Sequence, residues 1–298
     1  MNNALILGTF DGVHLGHRSL FAKGKELANG GMTPVAVLFS RHPAQVLGKK
    51  TELINTLAER ENLLRAEGVG FAYIDFNPEL AAMPADDYVA MLCRRFAPGA
   101  MIAGRNHTFG RNAAGTPKDL LRLAGVYGYK VFVQPSVMYN GEPVSSTRIR
   151  ECIRQGDMDA ANAMLGYRFG FEGCVGQGRH VGSQMGFPTA NIAYPEEKVC
   201  PADGVYCVAA VINGKSYGGV MNIGFRPTFE NGGGRTYECN IFNYSGDLYG
   251  KTVRIEFIKR LREEKRFASP EELKKQISDD IRITTAYFKT IKNPPSVF

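Results

Sequence analysis

The stretch GTFDGVHLGH, residues Gly8–His17, lies between the apolar run Ala4–Leu7 and the start of a helical pattern. Glycines at a strand-to-helix turn let backbone amides approach a phosphate, and the helix N-terminus adds the positive end of its dipole. His14 and His17 are three residues apart, so both side chains can project from one side of the first helical turn. The stretch therefore predicts a phosphate-binding turn at the carboxyl end of a first strand.

Short strands alternate with helical patterns from this turn to about residue 156. The predicted strands are Ala4–Gly8, Thr33–Phe39, Phe71–Asp75, Ala100–Gly104 and Lys130–Val133, and the predicted helices are His17–Ala28, Leu57–Glu67, Ala85–Phe96, Lys118–Tyr127 and Ser146–Gly156. Strands separated by helices pair in parallel, and the ligand site of such a sheet lies at the carboxyl ends of its strands. We expect a doubly wound, Rossmann-like α/β domain over residues 1–165.

Beyond residue 165 the predicted strands follow one another without helices between them. They are Gly170–Gly176, Gly204–Ile212, Lys215–Ile223, Thr236–Phe242 and Thr252–Leu261. Closely spaced strands joined by turns such as Asn213-Gly214 are typical of a small antiparallel barrel. Residues 166–298 are therefore predicted to form an all-β barrel domain with a C-terminal helix over Ser269–Lys289, which begins at a capping box formed by Ser269 and Glu272.

Composition narrows the class of protein. The chain has 298 residues, of which 44% are hydrophobic and 22% charged, as in an ordinary globular protein. A net charge of +7 favours anionic ligands such as nucleotides, but the basic residues form no stripe typical of nucleic-acid binding. None of the six cysteines has CxxC spacing, so we expect no zinc site and no redox dithiol. No signal-peptide pattern and no apolar run of ~20 residues is present, which predicts a cytoplasmic protein without a membrane partner.

Two later segments accompany the first turn. Gly104–Gly115 reads GRNHTFGRNAAG, and Val144–Asp157 reads VSSTRIRECIRQGD. HxGH followed by an SSTxxR-like segment is a signature of the nucleotidyltransferase superfamily. The full set resembles the adenylyltransferase domain of bacterial FAD synthetases over nearly all of residues 4–165, which implies adenylylation of FMN by ATP.

The resemblance implies roles for individual residues of this domain. His14 and His17 would contact the triphosphate as catalytic residues, and Asn106 and His107 would contact the flavin. His107 stands where the family commonly has an aromatic residue. The phosphate of FMN is already an anionic nucleophile, so catalysis requires in-line positioning and stabilisation of charge at the α-phosphorus rather than a strong base. The implied ATP-binding residues are Gly8, Phe10, Asp11, Gly12, Ser146, Thr147 and Arg150.

A second group of motifs lies in the predicted barrel. GFPTAN, Gly186–Asn191, places Thr189 and Asn191 on one side of an extended segment, where their oxygens can serve as Mg²⁺ ligands. Alone, PTAN is more typical of a turn fixed by proline. Together with NIGFRPTF at Asn222–Phe229, TYECNIF at Thr236–Phe242 and RLREEKRFASPEEL at Arg260–Leu273, it resembles the riboflavin kinase domain over residues 168–288.

This second resemblance implies that Glu238 is the catalytic base and that Arg262 contacts the flavin. A base within hydrogen-bond reach is useful because the nucleophile, the ribityl hydroxyl of riboflavin, is neutral. Riboflavin kinases usually carry Arg-Gly-Arg before GFPTAN, whereas Val181 and Ser183 stand at the two outer places here, and Cys239 and Asn240 also differ from the usual neighbours of the glutamate. The glycines implied to cradle the phosphates of ATP are Gly178, Gly182 and Gly186.

The leading hypothesis is a bifunctional enzyme that phosphorylates riboflavin to FMN and adenylylates FMN to FAD with release of pyrophosphate. Its partners would be riboflavin, FMN and ATP, with Mg²⁺ accompanying ATP. The alternative is an FMN adenylyltransferase whose kinase domain is impaired or only binds flavin. A non-catalytic flavin-binding regulator would have lost HxGH, PTAN and Glu238, and this chain retains all three. A role with nucleic acid does not fit either, because the chain has no anticodon-reading extension. The sequence does not specify an oligomeric state.

Overall fold

The computed structural model describes residues 2–48, 51–176, 186–226 and 234–290. The contacts divide the chain after Arg148 into two compact units. The elements of the first unit are β1 (Asn3–Leu7), α1 (Leu15–Ala28), β2 (Thr33–Phe39), α2 (Pro43–Val46), α3 (Leu57–Ala66), β3 (Gly70–Ile74), α4 (Pro78–Ala82), α5 (Ala85–Phe96), β4 (Pro98–Gly104), α6 (Pro117–Tyr127), β5 (Lys130–Gln134), β6 (Met138–Tyr139) and β7 (Glu142–Pro143).

The main sheet of the first unit has the strand order β3-β2-β1-β4-β5, and all of its pairings are parallel. The chain therefore starts in the middle of the sheet and winds outward in both directions, which confirms the predicted doubly wound fold. In such sheets the ligand crevice lies outside the carboxyl ends of the strands, where the strand order reverses. That point falls between β1 and β4, so the two loops that follow these strands frame the expected site.

The apolar composition of β1 explains its central place. Its residues Ala4 to Leu7 are essentially fully buried, as expected for a parallel strand that is covered on both faces. Leu5 and Leu7 pack in one core cluster with Met101 of β4 and with Val89 of α5. The segments that carry the motif loops are thus anchored in the most buried part of the unit.

The second unit starts inside α7 (Ser146–Gln155) and continues through α8 (Met158–Leu165) to a closed antiparallel barrel. The strand order of the barrel is β10-β11-β12-β9-β8-β13, which confirms the predicted barrel and its C-terminal helix. The remaining elements are β8 (Gly170–Gly176), β9 (Ala190–Ile192), β10 (Gly204–Ile212), β11 (Lys215–Arg226), β12 (Gly234–Ile241), β13 (Thr252–Arg262) and α9 (Pro270–Thr290).

Helix α8 packs against the barrel. The side chain of Asn162 donates to the carbonyl of Phe257 in β13 at 2.9 Å and accepts from the backbone N–H of Phe169 at 2.7 Å. By its contacts α8 therefore lies in the second unit. The domain boundary that we predict at residue 165 stays a prediction about where the two activities separate.

The alternation of buried and partly exposed residues defines the two faces of β12. Tyr237 and Cys239 are buried, whereas Glu238 between them is partly exposed. The Tyr237 ring stacks on Tyr194 at 4.5 Å between ring centroids, and Phe171 lies 4.6 Å from Tyr194. Because successive side chains of a strand point to opposite faces, Glu238 lies on the outer face of the barrel.

Candidate active sites

The loop after β1 contains backbone conformations that bulky residues rarely adopt. The φ angles of Phe10, Gly12 and Val13 are +52°, +91° and +38°. Left-handed backbone is unusual for Phe and still more so for a β-branched residue such as Val. Both side chains are fully buried, and the Phe10 ring lies 5.4 Å from that of Phe21. Strain of this kind persists only where the surroundings impose it, and it concentrates at binding and catalytic sites.

Asp11 and Ser146 hold the strained loop in place. Asp11 is fully buried, and its Oδ1 accepts the backbone N–H groups of Ile54 at 2.9 Å and Asn55 at 3.2 Å. The hydroxyl of Ser146, at the start of α7, donates to the carbonyl of Asp11 at 2.7 Å. The structure thus brings these two predicted site residues together as the frame of the phosphate turn.

Arg60 of α3 supports the same turn, and sequence reasoning did not select it. It is only 2% exposed, and its Nη1 donates to the carbonyl of Thr9 at 3.2 Å. The signal in the sequence is its neighbourhood, because Leu63 and Leu64 follow it at helical spacing and are also buried. A buried guanidinium under the turn adds positive charge next to the place where we expect a triphosphate.

His14 and His17 form a stacked pair at the N-terminus of α1. Their ring centroids lie 3.7 Å apart with 14° between the ring planes. Nδ1 of His14 caps the helix by accepting the backbone N–H of His17 at 3.3 Å. Gly16 lies close to this pair, since a Cβ atom there would lie 3.1 Å from the His14 ring, tighter than an ordinary van der Waals contact. The HxGH spacing therefore predicted the juxtaposition of the two histidines correctly.

Both imidazoles are neutral at pH 7. Burial lowers the pKa of His14 from 6.5 to about 4, although its backbone hydrogen bond raises it. Burial, and then the charge of His14, lower the pKa of His17 well below its ordinary value. Because Nδ1 of His14 accepts a hydrogen bond, the neutral ring carries its proton on Nε2 and can donate it to a phosphate oxygen. A neutral His14 can therefore offer a hydrogen-bond donor, rather than a resident positive charge, to an anionic ligand.

The loop after β4 carries the two residues predicted to contact flavin. Asn106 is exposed, and the backbone N–H of His107 donates to the carbonyl of Gly104 at 3.0 Å. The His107 ring lies 5.8 Å from that of Phe109, with 25° between the planes. Its Nε2 is buried and has no hydrogen-bond partner among the described residues. Burial lowers the pKa of His107 to about 4, so this ring is also neutral at pH 7.

These pKa values predict a loss of stability in acid. An unfolded histidine titrates near 6.5, whereas folded His14 and His107 titrate near 4, so the unfolded chain takes up protons first as the pH falls. The stabilisation is complete above about pH 6.5 and is lost towards pH 4, at up to ~1.4 kcal/mol per pH unit for each ring. Between pH 7 and pH 5, the free energy of unfolding of His107→Phe should fall by about 2 kcal/mol less than that of the parent, because the variant lacks this titrating ring.

The measurement is urea unfolding of the protein at both pH values, with hydrogen exchange of peptides from β1 and β4 reporting on the first unit. Lys130→Gln, a change at an exposed residue of β5, serves as the control and should lose as much stability as the parent. Equal losses in the parent and in His107→Phe would show that His107 is not buried in its neutral form.

The start of α7 contains Thr147, which is exposed, and Arg150, which lies in the second unit. Arg148 lies between them, and its Nη1 donates to the carbonyls of Tyr139 at 2.8 Å and Glu142 at 3.1 Å. Arg148 therefore fixes α7 to the β6–β7 hairpin. The contact of Thr147 and Arg150 with ATP stays a prediction.

In the second unit, strand register brings Asn191 and Glu238 together. β12 pairs with β9 so that Glu238 lies directly opposite Asn191, and β12 pairs with β11 so that Glu238 also lies opposite Asn222. Residues directly opposite each other on neighbouring strands share a face, with Cβ atoms about 4.5–5.5 Å apart. Three polar side chains therefore form a line across the outer face of the barrel, with the carboxylate in the middle.

Asn222 is the member of this line that sequence reasoning missed. It is partly exposed between the buried residues Met221 and Ile223, a period-two alternation that marks it as an outward residue of a strand. Its place beside Glu238 follows only from the pairing of β11 with β12.

The predicted phosphate-cradling glycines are only partly described. Gly186 adopts a φ of +86°, a conformation that favours glycine, directly before the PTAN segment. Gly178 and Gly182 lie outside the described residues, together with Val181 and Ser183. Their contact with ATP stays a prediction.

Arg262, predicted to contact flavin, forms a bidentate pair with a buried carboxylate. Its Nη2 and Nε lie 2.8 Å and 3.2 Å from Oδ2 of Asp280 in α9, and Asp280 is only 2% exposed. Gln276 donates to the same carboxylate at 3.0 Å. The side chain thus fastens α9 to the end of β13, and its contact with flavin stays a prediction.

Two kinds of feature were not found among the described residues. They contain no group of three or more His, Cys, Asp or Glu side chains that could enclose a metal ion. Within the same ranges, no helix is long and apolar enough to cross a membrane. Because Thr189 and Asn191 offer only two oxygens, a metal there would take most of its ligands from phosphate and water, as Mg²⁺ commonly does.

Comparison with known proteins agrees with this division into two units. The FAD synthetase family model matches residues 1–148, and the riboflavin kinase model matches residues 165–288. A crystal structure described as a macrolide-efflux protein from Streptococcus pneumoniae has a TM-score of 0.87 and 30% identity, covering 95% of this chain and 94% of that one. Efflux is a property named for that protein alone.

Curated relatives extend over almost the whole chain. The bifunctional riboflavin kinase/FMN adenylyltransferase of Bacillus subtilis (strain 168) is 32% identical over 97% of this chain and 94% of its own length. The protein of the same name from Pseudomonas fluorescens is 34% identical over 94% of this chain and 91% of its own. With both family models matched in the same order, the chain belongs to the family of bifunctional riboflavin kinase/FMN adenylyltransferases.

Proposed function

We propose that the chain makes FAD from riboflavin in two ATP-dependent transfers, the first in the barrel unit and the second in the α/β unit. The observation that carries the proposal is that each unit brings its motif residues into one arrangement. The first unit places a stacked pair of neutral histidines at a helix N-terminus beside a strained glycine loop. The second unit places Glu238 directly opposite Asn191 of the PTAN segment.

In the adenylyl transfer, an oxygen of the FMN phosphate attacks the α-phosphorus of ATP. The bond from the α-phosphorus to its bridging oxygen breaks, and pyrophosphate leaves with the electron pair. Nε2 of His14 donates to a phosphate oxygen, and the N-terminus of α1 adds its positive dipole end. His17 packs against His14 and completes the donor pair. No proton leaves the nucleophile, so a general base is not needed in this unit.

In the kinase reaction, the ribityl hydroxyl of riboflavin attacks the γ-phosphorus of ATP and ADP leaves. Glu238 accepts the hydroxyl proton as the bond to phosphorus forms. Thr189 and Asn191 would hold Mg²⁺ through neutral oxygens, and a bound ion would supply positive charge beside the ATP phosphates. This donor set fits Mg²⁺, because few protein ligands suffice when phosphate and water complete the coordination. Since both steps consume ATP, we place the enzyme in the cytoplasm.

Because Thr189 and Asn191 offer only neutral oxygens, we expect the kinase reaction to depend on the Mg²⁺ concentration. Asn191→Ala should raise the Mg²⁺ concentration for half-maximal riboflavin phosphorylation by on the order of tenfold, because one of two protein oxygens is lost. Calorimetry of the nucleotide-free protein should show only weak Mg²⁺ binding. Ser216→Ala, at an exposed residue of β11, serves as the control and should leave the metal requirement unchanged. Tight metal binding without nucleotide, unaffected by Asn191→Ala, would contradict the assignment.

One feature of the sequence favours the alternative function, in which only the adenylyl transfer is active. Val181 and Ser183 stand where riboflavin kinases usually carry two arginines, so an FMN adenylyltransferase with an impaired kinase unit remains the competing proposal. Assays with riboflavin and with FMN as separate substrates distinguish the two functions, because only an active kinase unit converts riboflavin to FMN.

A further inference from the structure

Asn240 lies two residues after Glu238 on β12, so the two side chains share the outer face of the barrel. Its Nδ2 donates to the carbonyl of Pro188 at 2.7 Å. Pro188 directly precedes Thr189, the first of the two oxygens assigned to the metal. The side chain of Asn240 therefore connects the strand of the catalytic base to the segment of the metal ligands.

The backbone explains why a side chain makes this connection. The pairing of β12 with β9 includes Glu238 opposite Asn191 and Cys239 opposite Ala190, and β9 begins at Ala190. Pro188 has no N–H group, so it cannot donate a main-chain bond that would extend the pairing. The Asn240 amide supplies a donor to its carbonyl instead. Thr189 is thus held between a paired residue on one side and a hydrogen-bonded carbonyl on the other.

We propose that Asn240 is a positioning residue, which holds the segment Pro188–Asn191 beside Glu238 so that the two metal ligands keep a fixed place relative to the base. The proposal rests on the proposed kinase function. It assigns Asn240 no contact with substrate. Its importance comes from geometry, since a misplacement of reacting groups by about 1 Å can cost on the order of 100-fold in rate.

The experiment begins with the ligand-free protein, where no activity is needed. Asn240→Leu removes the donor at nearly constant size, and Asn240→Asp replaces it by an acceptor. Both should speed hydrogen exchange of a peptide covering residues 186–192 by roughly fivefold, the effect of losing one ordinary hydrogen bond. In the same variants, kcat for riboflavin phosphorylation should fall by about tenfold and the Mg²⁺ requirement should rise, whereas FAD synthesis from FMN should not change.

Thr236→Val is the matched control. Thr236 lies on the same face, two residues before Glu238, and its hydroxyl bonds to the carbonyl of Gly224 at 3.4 Å rather than to the metal segment. This variant should leave exchange of residues 186–192 unchanged. Unchanged exchange in both Asn240 variants, or an equal change in Thr236→Val, would overturn the proposal. If the Asn240 variants exchange faster than the parent but the parent itself does not phosphorylate riboflavin, the positioning role of Asn240 stands and the kinase function is refuted.

Discussion

Replacing both His14 and His17 by Ala is expected to slow FAD formation from FMN by roughly 100-fold or more, the usual cost of removing a donor from a charge-stabilising site. The rings stack at 3.7 Å at the N-terminus of α1, so the double change removes both side chains that we propose to contact the triphosphate. Steady-state assays with FMN and ATP measure the loss. Riboflavin phosphorylation should persist, because the residues that we propose for the kinase reaction lie on the barrel.

A control must separate catalysis from helix capping, since Nδ1 of His14 also caps α1. Asn77→Ala provides it, because Asn77 caps α4 in the same unit by accepting the backbone N–H of Leu80 at 2.8 Å. This variant should lose some stability, of the order of 1 kcal/mol, and keep its rate of FAD synthesis. Parent-like FAD synthesis in the double histidine variant would show that the phosphate site lies elsewhere.

Glu238→Gln is expected to reduce riboflavin phosphorylation by on the order of 100-fold, because glutamine keeps the shape of the side chain but cannot accept the hydroxyl proton. FAD synthesis from supplied FMN should be unchanged. Separate assays of the two reactions on one protein sample provide the measurement.

Glu172→Gln is the matched control for the base. Glu172 is an exposed glutamate on β8 of the same barrel, and its side chain remains 52% accessible. Its replacement should leave both reactions near the parent rate. If Glu238→Gln phosphorylates riboflavin as fast as the parent, another group accepts the proton and the assignment of Glu238 is wrong.

Local sequence pattern predicted the elements that have strong periodicity or clear turn residues. The strand that ends before Gly8, the helix that follows His14 and the strands on either side of Asn213-Gly214 were all recognised in this way. It did not predict α8, which has only eight residues, or β9, which has only three. Short segments carry too few repeats of a periodic pattern to be assigned.

In the candidate sites, contacts between residues close in sequence could be predicted, whereas contacts between distant residues required the structure. HxGH brings its two histidines together because three residues separate them on a helix, whereas Asn222 joins Glu238 only through strand pairing. Family resemblance placed Asp11 among the ATP ligands, and the structure adds that its Oδ1 holds two backbone amides under the loop. Its contact with ATP stays a prediction. The spacing of Leu63 and Leu64 indicates only that Arg60 lies on a buried helix face, and its contact with Thr9 follows from the tertiary structure.

The central claim is that one chain performs both transfers, and the most direct test is a time course with riboflavin, ATP and Mg²⁺ in which chromatography separates the flavins. We expect FMN to appear first and FAD to follow, with ADP and pyrophosphate as the other products. If riboflavin stays unchanged while supplied FMN is converted to FAD, the kinase unit is impaired and the claim of two activities is contradicted.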